Sequence, residues 1–133
     1  MDFVQHLDAP TLHLFHLLNR VQGVAIIENH HKKCNENKWD GYVLTYRDTN
    51  NSSGKNELIV CSGLIKRSYS DWVREINTTF THEAVHIVQA CKSNDGYLET
   101  IGGFGFRKNL EGEAQKLEHY PGTVSKLIQK YCL

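Results

Sequence analysis

The order of apolar and polar positions along this chain mixes two periods. In "APTLHLFHLLNRVQ", Leu12, Phe15, Leu17 and Leu18 recur at helical spacing, with Asp8 available as a cap and Pro10 in the first turn. This predicts a helix reaching about Gly23. The following "VAIIEN" suits either an extension of that helix or a short strand. "ENHHKKCNENKWDG" is polar and turn-rich and predicts a loop. "GYVLTYRD" (41–48) and "NELIVCS" (56–62) alternate and are rich in β-formers, which predicts two strands with "TNNSSGK" as a loose hairpin loop. From Ser70 to Cys91 the pattern predicts one long helix, capped by Ser68 or Ser70 with Asp71 in its first turn. The glycines of "GYLETIGGFGF" predict a loop. "RKNLEGEAQKLEHY" predicts a helix stopped near Pro121, and "GTVSKLIQKYCL" a short terminal one.

Composition narrows the classes. The 133 residues suffice for one domain with a real core, residues 1–133, and are too few for two ordinary ones. A hydrophobic fraction of 40% and a charged fraction of 23% describe a soluble globular chain. Formal net charge is zero, so nothing favours nucleic acid or an anionic membrane as partner. No segment approaches the roughly 18 apolar residues of a membrane span. Asp2 and Asp8 stand where a signal peptide would carry positive charge, which points to the cytoplasm. In that compartment Cys34, Cys61, Cys91 and Cys132 are expected to be reduced thiols, and without a CxxC pair they do not read as a zinc knuckle. Two disulfides stay open if the compartment is oxidising.

The eight histidines direct attention to metal chemistry. His13 and His16 read as packing or surface residues, and His30, His31 and Cys34 as residues of a solvated loop. "FTHEAVHIVQAC" is different. His82 and His86 are four apart on a predicted helix, so both imidazoles occupy one face and can hold one zinc ion. Glu83 points about 100° away, where it can reach a water on that zinc without binding the metal. Zinc lowers the pKa of such a water, and the carboxylate can take its proton as the water attacks a carbonyl. On a helical wheel Trp72, Ile76, Phe80, Ile87 and Cys91 form the apolar stripe, and Glu83 falls within about 20° of its reference, Ile76. His86 and His82 lie at the margin, about 80° and 120° away. A carboxylate on a buried stripe requires a partner, and a metal-bound water is one.

A catalytic zinc takes a third protein ligand and keeps one open position. "LEGEAQKLEH" offers Glu111, Glu113, Glu118 and His119. Against the apolar face of Leu110, Ala114 and Leu117, Glu113 lies about 60° to one side. Glu111 and Glu118 lie about 80° to 100° to the other, as a solvated acidic edge would, and His119 points opposite. Glu113 is the best-placed inward carboxylate, and Glu111 is the alternative if the helix is rotated or shortened.

His82-Glu83-Ala84-Val85-His86 followed by Glu111-Gly112-Glu113-Ala114 resembles the glutamate-ligand zincins, and among them the small ImmA/IrrE-type peptidase domains. The resemblance covers residues 56–120. It implies an α+β, zincin-like single domain in which a small twisted sheet packs on the HExxH helix beside further helices. It also implies a zinc-dependent metallopeptidase acting on a peptide or protein substrate. Glu113 would complete the metal site of His82 and His86, and Glu83 would be the catalytic base. An edge strand would hold an extended peptide, and Tyr120, His119 or Arg107 would steady the oxyanion. Val85 departs from the family's usual glycine and Leu117 from its aromatic residue. Two rival readings are a zinc-binding regulatory or interaction protein with little catalysis, and a zinc-free helical module with a chance motif.

Overall fold

Asp8 caps the first helix as its position suggests. Its carboxylate accepts from Thr11 N at 3.0 Å, and helix α1 spans Ala9–Leu18 behind a 3-10 turn, Asp2–His6. The computed structural model describes residues 1–36, 39–47, 54–93 and 104–133. His13 and His16 are exposed on α1. The helix ends short of the predicted Gly23. That glycine adopts φ 81, a left-handed value it takes without strain, and turns the chain into strand β1, Val24–Glu28. Helix α2, His31–Glu36, lies where a loop was predicted.

Strands β2, Gly41–Arg47, and β3, Gly54–Val60, pair antiparallel, while β1 joins the other edge of β3 in parallel. The order β1-β3-β2 makes β3 central. Alternation then divides the side chains. Ile26, Leu58 and Val60 enter the main core with the helices, whereas Tyr42, Ile59 and Cys61 form a smaller cluster on the other face with Cys34. Pairing with β3 decides that "VAIIE" is a strand, since local periodicity alone permits both readings. The second predicted strand stops at Val60, and Ser62–Ser68 forms helix α3. Its first turn is fixed from β1: the Ser62 hydroxyl donates to Glu28, and Gly63 N donates to Asn29 Oδ1 at 3.0 Å.

Helix α4, Trp72–Lys92, crosses the domain centre and buries Ile76, Phe80, Ala84, Ile87 and Val88 among α1, the C-terminal helix and the sheet. Its N-cap is Asp71, so neither Ser68 nor Ser70 serves as predicted. Helix α5, Phe104–Leu117, begins within the predicted glycine loop, whose residues 96–103 lie outside the described ones. The predicted hairpin loop likewise falls mostly outside them, at 49–53. Helix α6, Pro121–Tyr131, closes the chain against α1 and α4. The result is a small mixed α+β domain.

The cysteines correct the reduced-thiol expectation. Cys34 is bonded to Cys61 and Cys91 to Cys132, with Cα–Cα distances of 5.5 and 5.3 Å. Sequence spacing hid both pairs because each joins elements distant in the chain: α2 to the end of β3, and the last turn of α4 to the C-terminus. Disulfides persist in oxidising compartments, so the step from a cytoplasmic compartment to reduced thiols does not hold. No helix of the described residues is long and apolar enough to cross a membrane.

Gly41 sets how closely α4 approaches β2. A Cβ there would stand 2.8 Å from Thr79 Cγ2, 3.0 Å from Glu83 Cγ and 3.1 Å from Ile59 O. The threonine methyl and the backbone carbonyl have little room to yield. Gly41→Ala should therefore destabilise the fold by about 1–3 kcal/mol, measured by denaturant unfolding, because overpacking forces side chains and backbone apart. An unchanged midpoint would show that α4 can shift freely.

Candidate metal centre

Helix geometry places His82 and His86 one turn apart on α4, with ring centroids 5.2 Å from each other. Each presents Nε2 to α5. Glu111 meets both: its Oε2 lies 3.1 Å from His82 Nε2, and its Oε1 lies 2.8 Å from His86 Nε2. One carboxylate thus spans the two imidazoles. Glu118, on the same edge of α5, places Oε2 3.3 Å from His82 Nδ1. The edge that reads as solvated acid in the sequence is the one turned toward the histidines.

A second layer lies behind His86. Gln89 is buried, and its Oε1 is 2.7 Å from His86 Nδ1. Its Nε2 donates to Leu110 O and to Glu113 Oε1, both at 3.0 Å. Glu113 therefore faces inward, as its wheel position indicates, but its carboxylate engages an amide and not the imidazoles. Among the described residues the group able to surround one ion is His82, His86 and Glu111, whose ligand atoms all lie within 4.8 Å of one another. The structure brings together the two predicted histidines and the alternative glutamate, and leaves Glu113 one layer back.

Glu83 is 5% exposed, and among the described residues its Oε2 has no hydrogen-bond partner. Burial pushes its pKa up to about 7; the charges of His86 and His82 pull it down, and that of Glu111 raises it further. For His82, burial works against protonation. The hydrogen bond to Glu111 and the charges of Glu83, Glu111 and Glu118 outweigh it and raise its pKa to about 9. His86 is likewise raised despite its burial, through Glu111, Glu83 and Gln89. Hydrogen bonds from both imidazoles hold the Glu111 carboxyl far below the ordinary carboxylate range.

The donor set fits zinc. Two imidazole nitrogens and one carboxylate oxygen are a known three-ligand arrangement for catalytic zinc, and ligands about 2.0–2.2 Å from the ion require these atoms to be close neighbours, as they are. The cluster is open on one side, since the Glu111 side chain is 55% exposed while His82 and His86 are 18% and 9% exposed. Glu118 also borders a groove along α4 that includes Asn77, Thr78, Thr81 and His119. Of the three residues considered for an oxyanion, Tyr120 and His119 are exposed and neither enters the metal group. The side chain of Arg107 lies outside the described ones.

Sequence reasoning missed Gln89 as a partner of His86, and it set Glu118 aside as part of a solvated edge although that carboxylate meets His82. A signal for Glu118 was present, because it shares the edge of Glu111 at i+7. Comparisons with protein-family models, with curated proteins and with solved structures found no match to this chain.

The charge pattern gives the chelated protein a defined pH dependence. The pKa of His82 is raised, so its stabilisation is complete below its ordinary value of about 6.5 and is lost as the pH rises through about 9. Glu83 is also raised, and its contribution is lost as the pH rises through about 7. Glu111 is lowered, so its stabilisation is present above the ordinary carboxylate range and is lost only in strong acid. The melting temperature of metal-free protein should thus fall from about pH 6 to about pH 9.5, and Glu111→Gln should flatten the His82 part of that fall. A flat or rising profile would contradict this electrostatic picture.

Proposed function

We propose that this protein is a zinc-dependent peptidase in which His82, His86 and Glu111 hold the metal and Glu83 is the general base. The observation that carries the reading is one carboxylate facing Nε2 of both imidazoles on a helix that also buries Glu83, whose Oε2 meets no hydrogen-bond partner among the described residues. A glutamate in such surroundings is unfavourable unless it has work to do with a polar group brought to it. Zinc bound at this cluster would polarise a substrate carbonyl and bring the pKa of water toward neutrality. Glu83, buried beside the two histidines, accepts the proton of the attacking water and returns it to the departing amine.

The surroundings favour a peptide as substrate. Among the described residues β2 pairs only with β3, which leaves its outer edge with backbone groups for an extended chain. Gly41, the first residue of β2, lies close against Glu83. A strand added along β2 would therefore pass near the base.

Glu83→Gln tests the chemistry with little change of shape. The variant should retain zinc and fold, and should lose about 10² to 10⁴ in cleavage rate, the usual worth of general-base catalysis. The assay is a broad library of unfolded peptides with mass-spectrometric detection of new ends. Cleavage equal in variant and wild type would assign the activity to another base or a contaminant. No cleavage by zinc-loaded wild type would leave a zinc-binding protein that is not a peptidase.

A further inference from the structure

Gln89 is an amide whose orientation is dictated by what surrounds it. Leu110 O and the Glu113 carboxylate can only accept hydrogen bonds, so the group within 3.0 Å of both must be the NH2. The amide oxygen is then fixed toward His86, 2.7 Å from Nδ1. That oxygen is also only an acceptor, so Nδ1 of His86 must carry the hydrogen. Without a cation Nε2 also meets an acceptor, Glu111 at 2.8 Å, so the imidazole there donates from both nitrogens; a cation that takes the proton's place on Nε2 meets its lone pair while Nδ1 keeps its hydrogen. Rotating the amide by half a turn would set its oxygen against a carbonyl and a carboxylate at once, so the alternative is closed.

We infer that Gln89 is a positioning residue that selects the metal-binding tautomer and ring orientation of His86, and that Glu113 acts by locking Gln89 and not by ligating the metal. The inference rests on the zinc reading of the cluster. It explains why an inward carboxylate on α5 stands near the site without joining it. It also separates the two histidines. His86 is oriented by a buried amide held from two sides, whereas His82 relies on a longer contact to Glu118. Partners of this kind set the tautomer of a ligating histidine, and their loss typically weakens metal binding 10- to 100-fold.

Two readouts test this, one of them independent of metal. Long-range ¹H–¹⁵N spectra of chelated Glu111→Ala protein, which lacks the competing acceptor at Nε2, should show neutral His86 protonated at Nδ1, and adding Gln89→Leu should abolish that preference. In zinc competition titrations Gln89→Leu should bind about 10- to 100-fold more weakly. Glu113→Gln, which still offers an oxygen to the Gln89 amide, should stay within about threefold of wild type, as befits a residue that acts through another. Gln89→Met, close to glutamine in length and volume but without the amide, should weaken zinc binding to the same extent and decides the matter if Gln89→Leu does not fold. His86 protonated at Nε2 in Glu111→Ala, wild-type affinity in Gln89→Leu, or loss of zinc in Glu113→Gln would each overturn the inference. The Nδ1 tautomer in Glu111→Ala together with wild type that binds no zinc would refute the zinc reading and the metal role of Gln89, while the control of the tautomer would stand.

Discussion

The Glu111 carboxylate, held between the Nε2 atoms of His82 and His86 at 3.1 and 2.8 Å, joins helices α4 and α5 through a cluster of opposite charge. Much of the surrounding structure bears on that contact. Ala114, fully buried, seats α5 in the core, and Gln89 clamps α5 from below through Leu110 O and Glu113. On the opposite side of α4, Gly41 lets the helix approach β2 closely. The Cys91–Cys132 bond fastens the last turn of α4 to the C-terminus, and loss of such a bond typically costs about 2–5 kcal/mol. Small shifts of α5 would separate the carboxylate from one imidazole or the other, so packing and chemistry are tied together here.

Burial of Glu83 beside this contact is the main electrostatic expense of the fold. Its carboxyl lies within the stripe that carries Ile76, Phe80 and Ile87, where a charge is poorly solvated. The two histidines moderate that penalty without a direct hydrogen bond to Oε2. A divalent cation bound by the histidines and Glu111 would moderate it further and would displace protons from the imidazoles. Metal affinity is therefore expected to strengthen as the pH rises.

The long helix and its motif were legible in the sequence because their information is local. The spacing of His82 and His86, the apolar stripe, and the place of Glu83 within it all follow from one helical period. The β2 and β3 strands were legible for the same reason, through alternation. What was not legible depended on distant partners. "VAIIE" became a strand because β3 was there to pair with it. The cysteines paired across 27 and 41 residues, distances at which spacing carries no signal. The third carboxylate is more instructive. The wheel ranked Glu113 above Glu111 by asking which faced the core, yet His82 and His86 themselves sit at the margin of their own stripe. A margin meets a margin, so the carboxylates that reach them come from the flank of α5, Glu111 and Glu118. Glu113, nearer the core, meets Gln89 instead.

The central claim is that two imidazoles and Glu111 form the protein's share of a single zinc site. Anomalous diffraction at the zinc edge, from crystals grown with one equivalent of zinc, tests it most directly. The account expects one strong peak, within coordination distance of His82 Nε2, His86 Nε2 and a Glu111 oxygen, with Glu113 still bonded to Gln89. A peak ligated by Glu113, a peak away from α4, or no peak at saturating zinc would contradict it.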